Sequence, residues 1–229
     1  MKERPILFSG EMVRAILDGR KNQTRRVVKP AKDRNGSGCH LAPCEIAGEV
    51  NGGDYSLCPY GQPGDRLWVR ETWGKVQMTH LMSPTPGRVE EALTYRAGRL
   101  VWKSEDRPES GSFDSWPVSW SDDHQPSDGR WRPSIHMPRW ASRITLEIVS
   151  VSVERLKEIS EADAEAEGVE RHGDSWVDYL HRTDCHFAVN ARTSFATLWD
   201  SINGRGSRDA NPWVWVVEFK RVEQARAAA

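Results

Sequence analysis

Two long runs of alternating apolar residues do most to limit what this chain can fold into. Between Ser142 and Leu156, Ile144, Leu146 and Ile148 share one face of an extended chain, while Val149, Val151 and Val153 fall on the next phase. Successive side chains of a strand point to opposite faces. The alternation therefore slips by one residue between 148 and 149, which predicts a strand carrying a bulge or sharp bend, as small barrels use to turn corners. The second run, Trp213 to Val222, sets Trp213, Trp215, Val217 and Phe219 on one side and Val214, Val216, Glu218 and Lys220 on the other.

The helices are fewer. Residues 9–18 read as one, with Ser9 as cap, Glu11 in the first turn, Met12, Val13, Ile16 and Leu17 on one stripe, and Gly19 as the stop. Lys21 to Val28 then emerges as a turn and a strand. A short helix capped by Ser160 runs through Glu167 to Gly168, and Phe195, Leu198, Trp199 and Ile202 mark another that closes at Asn203-Gly204. Gln62-Pro63-Gly64-Asp65 turns the chain into a strand at Arg66–Glu71, and a weaker pair is expected at Leu93–Arg96 and Leu100–Lys103. Residues 32–60, rich in Gly, Asn, Cys and Pro, show no period and read as an irregular loop. Between Lys103 and Asp128 seven acids stand against two Lys or Arg, interleaved with Ser and Pro, as in an inserted surface segment.

Long strands, few helices and a bend in the strongest strand argue for an α+β, mostly β chain: a small antiparallel barrel with helices packed across its openings. Its 229 residues read as a single domain, 1–229, with the irregular loop at 32–60 and an insertion at about 75–137. No strand–Gly-rich-turn–helix unit or P-loop supports a Rossmann sheet. No apolar run approaches the roughly 18 residues that span a bilayer, and only three apolar or aromatic residues follow Met1–Pro5, too few for a secretory core. The expectation is a cytoplasmic protein without a membrane partner. Cys39, His40, Cys44 and Cys58 offer zinc-type donors, but paired C-x-x-C knuckles are absent, so free thiols and no metal or other cofactor are expected. His136, His181 and His186, the last two flanking Cys185, read as surface residues. The eleven tryptophans read mainly as core.

Charge is where function shows. The chain carries a net charge of -1, yet Gly19 to Arg34 holds seven Lys or Arg against one acid, Asp33. A local positive run points to a local phosphate-bearing ligand rather than an extended acidic surface. Within it, Lys21 and Thr24 sit together at a helix-to-strand junction, with Arg20, Arg25 and Arg26 as cationic neighbours.

Ile16-Leu17-Asp18-Gly19-Arg20-Lys21, Gly64-Asp65-Arg66-Leu67-Trp68-Val69-Arg70-Glu71, Asp163-Ala164-Glu165-Ala166-Glu167-Gly168-Val169 and the closing Trp-Val-Trp-Val-Val-Glu-Phe strand together resemble the ASCH superfamily, more closely its phage and prophage branch. The resemblance covers the first 30 residues, 60–73 and 139–221. It implies a PUA-like β-barrel with a basic cleft for RNA. The family signature G-x-K-x-x-E-x-R becomes Gly19-x-Lys21-x-x-Thr24-x-Arg26, with threonine for the common glutamate. Small bacterial ASCH amidohydrolases acting on 4-acetylcytidine carry the same substitution, and their Lys, Thr and Glu are taken as catalytic. The resemblance thus implies a catalytic set of Lys21, Thr24 and Glu167, with Glu165 the alternative if the short match shifts by two residues.

Threonine needs a base, and a lysine serves once burial or a neighbouring cation lowers its pKa. The expected cycle is Thr24 attack on an acyl carbonyl with Lys21 as base and Glu167 orienting Lys21 or shuttling a proton. Arg20, Arg25, Arg26, Arg70, Glu71 and Trp73 would line the binding cleft, Glu71 alternatively pairing with Lys21 or Arg26. The expected partner is a nucleoside or single-stranded nucleic acid, RNA first. A non-catalytic RNA- or DNA-binding module and a metal-independent ribonuclease are the other readings.

Overall fold

The computed structural model describes residues 1–32, 40–78, 90–98, 100–102, 126–180 and 187–222. In chain order its elements are β1 (Glu3–Leu7), α1 (Gly10–Leu17), β2 (Gln23–Val27), β3 (Ala31–Lys32), β4 (His40–Leu41), α2 (Pro43–Asn51), β5 (Arg66–Arg70), β6 (Trp73–Met78), β7 (Glu90–Tyr95) and β8 (Leu100–Trp102). After a stretch with two single 3₁₀ turns, Ser134–His136 and Arg139–Ala141, come β9 (Thr145–Arg155), α3 (Glu161–Ala166), β10 (Arg171–His172), β11 (Ser175–Val177), β12 (Phe187–Ala188), α4 (Ala191–Asn203) and β13 (Trp213–Val222). The chain is α+β, with strands dominating. Among the described residues no helix is long and apolar enough to cross a membrane.

It divides into two compact units, one of 1–4, 15–67 and 145–229, the other of 5–14 and 68–144. In the first unit β13 runs antiparallel between β9 and β2. The two apolar runs thus pair with each other along their whole length. Their register jumps where the alternation slips: Ser150 faces Glu218 but Ile148 faces Phe219, leaving Val149 as the extra residue. Val149 is accordingly half out in solvent while Ile148 and Val151 are buried. The sheet to which these three strands belong has the order β1-β5-β9-β13-β2, with β1 and β2 at its ends. The described strands thus form an open sheet, and the closed barrel expected from the sequence is not seen among them.

One face of this sheet is covered by α3 and α4. Ala164, Phe195, Leu198 and Trp199 from the helices pack with Leu156, Ile159, Val214 and Val216. Both helices start where their caps dictate, Ser160 Oγ accepting from the Asp163 amide at 3.1 Å and Asn190 Oδ1 from the Thr193 amide at 2.8 Å. Ile202, assigned to the buried stripe of α4, is exposed instead, one turn past the last core contact. α2 interrupts the stretch expected to be irregular. Pro43 occupies its first turn, the Glu45 carboxylate accepts from the Ala42 amide at 2.6 Å, and Ile46, Ala47 and Val50 are buried. A small sheet of β10, β11 and β12 is likewise absent from the sequence reading.

The second unit carries the antiparallel sheet β6-β7-β8. It confirms the weak pair at β7 and β8 and adds β6, within the region assigned to the insertion. Its core is Trp73, Leu93, Tyr95, Met137 and Ala141, with Tyr95 donating to the Ala141 carbonyl at 2.8 Å. The acidic stretch of 103–125, His181, Cys185 and His186 lie outside the described residues.

Candidate functional site at the end of β2

Two helix stops create the site in the first unit. Gly19 takes a left-handed φ of 75°, and the Arg20 and Lys21 amides donate back to the Ala15 carbonyl at 2.9 and 3.0 Å. Gly168, φ 83°, does the same after α3. The two exits meet: Lys21 forms an isolated antiparallel bridge with Glu167, and the Asn22 amide donates to the Ala166 carbonyl at 3.0 Å. The approach is so close that a Cβ on Gly168 would sit 2.7 Å from Lys21 Cβ and 3.0 Å from Ala15 Cβ.

Lys21 Nζ is fully enclosed and donates to Glu167 Oε2 at 2.7 Å, the Glu167 carbonyl at 2.8 Å and the Gln23 carbonyl at 2.7 Å. Three acceptors match the three N–H bonds of an ammonium. Burial nevertheless pulls the lysine below its ordinary pKa; the charge and hydrogen bond of Glu167 oppose this, and the nearby positive charges of Arg26 and Arg25 reinforce it. Burial is the largest of these influences, so Lys21 is held closer to its neutral form than an exposed lysine. The Phe219 amide donates to the Asn22 carbonyl, and strand carbonyls alternate in direction. The next carbonyl, that of Gln23, therefore points away from β13, which places Nζ along the outer edge of β2.

The pleat of β2 divides the remaining residues. Gln23 and Arg25 face α3. Arg25, 2% exposed, contacts Glu167 Oε1 at 3.4 Å, Glu154 Oε2 at 3.4 Å and Asp163 Oδ2 at 3.6 Å, and donates to Gln23 Oε1. Gln23 in turn donates to Asp163 and Glu218, and Ser150 donates to Glu218 at 2.7 Å. Burial alone would raise the Asp163 carboxyl, but hydrogen bonds from Ser160 and Gln23 and the charge of Arg25 hold it below the usual range. Thr24 and Arg26 point to the opposite face, where Arg26 donates to Thr24 Oγ1 at 3.0 Å. Thr24 is completely buried. Of the two carboxylates open on the sequence, Glu167 is the one joined to Lys21, whereas Glu165 is exposed.

The basic run is therefore not a solvated patch. Lys21 and Arg25 are inside, matched by acids that sequence reasoning did not connect to them: Glu154, 129 residues from Arg25, and Asp163. Arg20 is the outward cation, bound to Asp18 at 3.2 Å and to the Gly168 carbonyl at 3.2 Å. Register is the signal that finds the network, since β2, β13 and β9 align Gln23, Glu218 and Ser150 in one row.

Arg70, Glu71 and Trp73 belong to the second unit. Glu71 is forked by Arg143, Nε to Oε1 at 2.8 Å and a terminal nitrogen to Oε2 at 2.9 Å, the partner that sequence reasoning missed. Burial pushes the Glu71 carboxyl up against the pull of Arg143. Trp73 is core, and the Arg70 guanidinium lies over the Trp68 ring at 4.8 Å. Of the four residues with zinc-type donor atoms, Cys39 lies outside the described residues, His40 and Cys44 are exposed and Cys58 is buried. Among the described residues no group of three or more His, Cys, Asp or Glu is arranged to hold a metal. No family model matches the chain, and no curated protein or solved structure is matched to it either.

Proposed function

We propose that this chain is a cytoplasmic nucleoside- or RNA-binding protein of the ASCH type that removes an acyl group from a modified pyrimidine nucleoside such as 4-acetylcytidine. The observation that carries the reading is Lys21 Nζ, 2.7 Å from Glu167 and drawn toward the neutral amine by burial. In its deprotonated form Lys21, at the edge of β2, would offer a lone pair for the Thr24 proton as Oγ1 attacks the acyl carbon. The proton then passes to the departing exocyclic nitrogen, and water releases the carboxylic acid from Thr24. Arg26, already donating to Thr24 Oγ1, is a cation set beside the attacking oxygen, in reach of a neighbouring acyl group. The accompanying fold reading is a PUA-like barrel, supported by the bulge of β9 at Val149.

A second reading, a non-catalytic nucleoside or single-strand binder, is favoured by one specific feature: Thr24 is completely buried and the Lys21 donors are all engaged. One experiment separates the two. The wild type, Lys21→Ala, Thr24→Ala and Glu167→Gln are incubated with 4-acetylcytidine and with single-stranded RNA, following acetate release, strand cleavage and RNA retention. The hydrolase releases acetate and each substitution lowers the rate by at least about 100-fold, the scale of a lost acid–base group. Retention of RNA without acetate selects the binder. Strand cleavage that survives Thr24→Ala overturns both in favour of a nuclease.

A further inference from the structure

The sequence sets Arg25 among cleft residues that meet a ligand; the fold sets it beside Glu167 instead, with 1% of its side chain exposed. The two oxygens of Glu167 part company there. Oε2 accepts from Lys21 Nζ at 2.7 Å, while Oε1 lies 3.4 Å from Arg25 Nη1, so one carboxylate serves two buried cations. The other end of the guanidinium, Nη2, lies 3.4 Å from Glu154 Oε2 and 3.6 Å from Asp163 Oδ2, carboxylates on β9 and α3 whose side chains are 37% and 33% exposed. Gln23 braces the group, accepting from Arg25 and donating to Asp163 and Glu218. Arg25 Nε is buried without a hydrogen-bond partner. A donor left unfilled in the interior is costly, so this guanidinium is placed by carboxylates at both of its ends rather than by the filling of its own donors.

We propose that Arg25 is a positioning residue: it sets how much of the Glu167 charge Lys21 receives, according to how firmly Glu154 and Asp163 hold its other end. A carboxylate between two cations stabilises each less than it would stabilise either alone, and a guanidinium drawn toward outside acids releases Glu167 to the lysine. The other charges near the pair flank this axis: Arg26 on the opposite face of β2, Glu218 on β13 through Gln23, and Arg20 held outside by Asp18. Glu154 and Asp163 are the members of the chain within reach of solvent, so a change of charge at either one alters Lys21 without touching it. The effect on turnover rests on the hydrolase reading; the effect on the charge of Lys21 does not.

The test reads Lys21 directly, through the nitrogen-15 resonance of its Nζ across a pH titration, assigned by its loss in Lys21→Met. The wild type is compared with Arg25→Gln, Arg25→Lys, Glu154→Gln and Glu165→Gln. Arg25→Gln removes a positive neighbour and leaves Glu167 wholly to Lys21, so the lysine titrates higher by about one pH unit or more, and Arg25→Lys restores most of the wild-type position. Glu154→Gln turns Arg25 toward Glu167 and moves the titration the other way. Its side chain is partly exposed, so this variant decides the matter if Arg25→Gln does not fold. Glu165→Gln, at an exposed acid of α3 outside the Arg25 contacts, leaves Lys21 where the wild type has it. Acetate release from 4-acetylcytidine is followed over the same range. Arg25→Gln is expected to lose about 10-fold at neutral pH, the neutral amine being cut about tenfold per unit, and to recover at the alkaline plateau, whereas a merely structural loss lowers the rate equally at every pH. A wild type that releases no acetate refutes the hydrolase, and the resonance of Lys21 still decides the role of Arg25. The inference is overturned if Lys21 titrates in Arg25→Gln as in the wild type or lower, or if Glu154→Gln and Glu165→Gln move it alike.

Discussion

Gly168→Ala offers the sharpest test of how the site is built. Two costs act at this position. The first is conformational: φ is 83°, and an L-residue in the left-handed region is disfavoured by about 1–2 kcal/mol. The second is steric, because the new methyl would lie 2.7 Å from Lys21 Cβ, 3.0 Å from Ala15 Cβ and 3.4 Å from Lys21 Cα. None of these is the far end of a flexible side chain, so backbone must move, and overpacking of this kind costs roughly 1–3 kcal/mol more. Gly19→Ala isolates the first cost, since Gly19 has nearly the same φ, 75°, and nothing within 4 Å of its Cβ position. The entropy that alanine removes from the unfolded chain is common to both and cancels. Gly168→Ala is thus expected to be less stable than Gly19→Ala by about 1–3 kcal/mol, a large share of the roughly 5–15 kcal/mol of an ordinary domain. Urea unfolding followed by tryptophan fluorescence, compared at equal m-value, measures the difference. If the two variants agree within about 0.5 kcal/mol, the close packing of Gly168 on Lys21 is wrong, and with it the account of how Glu167 reaches the lysine.

Two further outcomes concern the ion pair itself. Glu167→Gln leaves Lys21 buried without its counter-charge and is expected to cost about 3–5 kcal/mol in the same assay, while the double change Lys21→Met, Glu167→Leu costs less than the single one; a double variant as unstable as the sum of its parts contradicts a coupled pair. The pH dependence has a definite sign. Burial depresses the folded-state pKa of Lys21 below 10.5, so between that depressed value and 10.5 the unfolded chain binds more protons, and the contribution of this residue to stability rises with pH. Subtracting the profile of Lys21→Met from that of the wild type should leave a positive slope in the alkaline range; a flat or negative difference shows that the ammonium with three filled donors, not the desolvated amine, governs the site.

Local signals were readable wherever one chemical rule acts over a few residues. The stop at Gly19, the cap at Ser160 and the phase slip at Val149 all stand in the structure where stripe and alternation put them. α2 escaped because its first turn is capped by Glu45 reaching back to Ala42, with no Ser, Thr, Asp or Asn at the cap position, inside a stretch whose glycines and cysteines hide the Ile46, Ala47, Val50 stripe. β10, β11 and β12 have two or three residues each, too few for an alternation to exist.

The site was legible in its parts and misleading in its balance. Lys21 and Glu167 come together although 146 residues separate them, because both follow from glycine stops that local reasoning locates. The inference from charge to surface failed for a geometric reason. Counting cations along the chain treats Lys21, Arg25 and Arg26 as one patch, but a strand sends alternate residues to opposite faces, and here the face of Arg25 is the one covered by α3. Burying those cations demanded acids, and Glu154, Asp163 and Glu167 supply them from two other elements. A basic run on an amphipathic strand is thus better read as a demand for buried carboxylates than as a phosphate site.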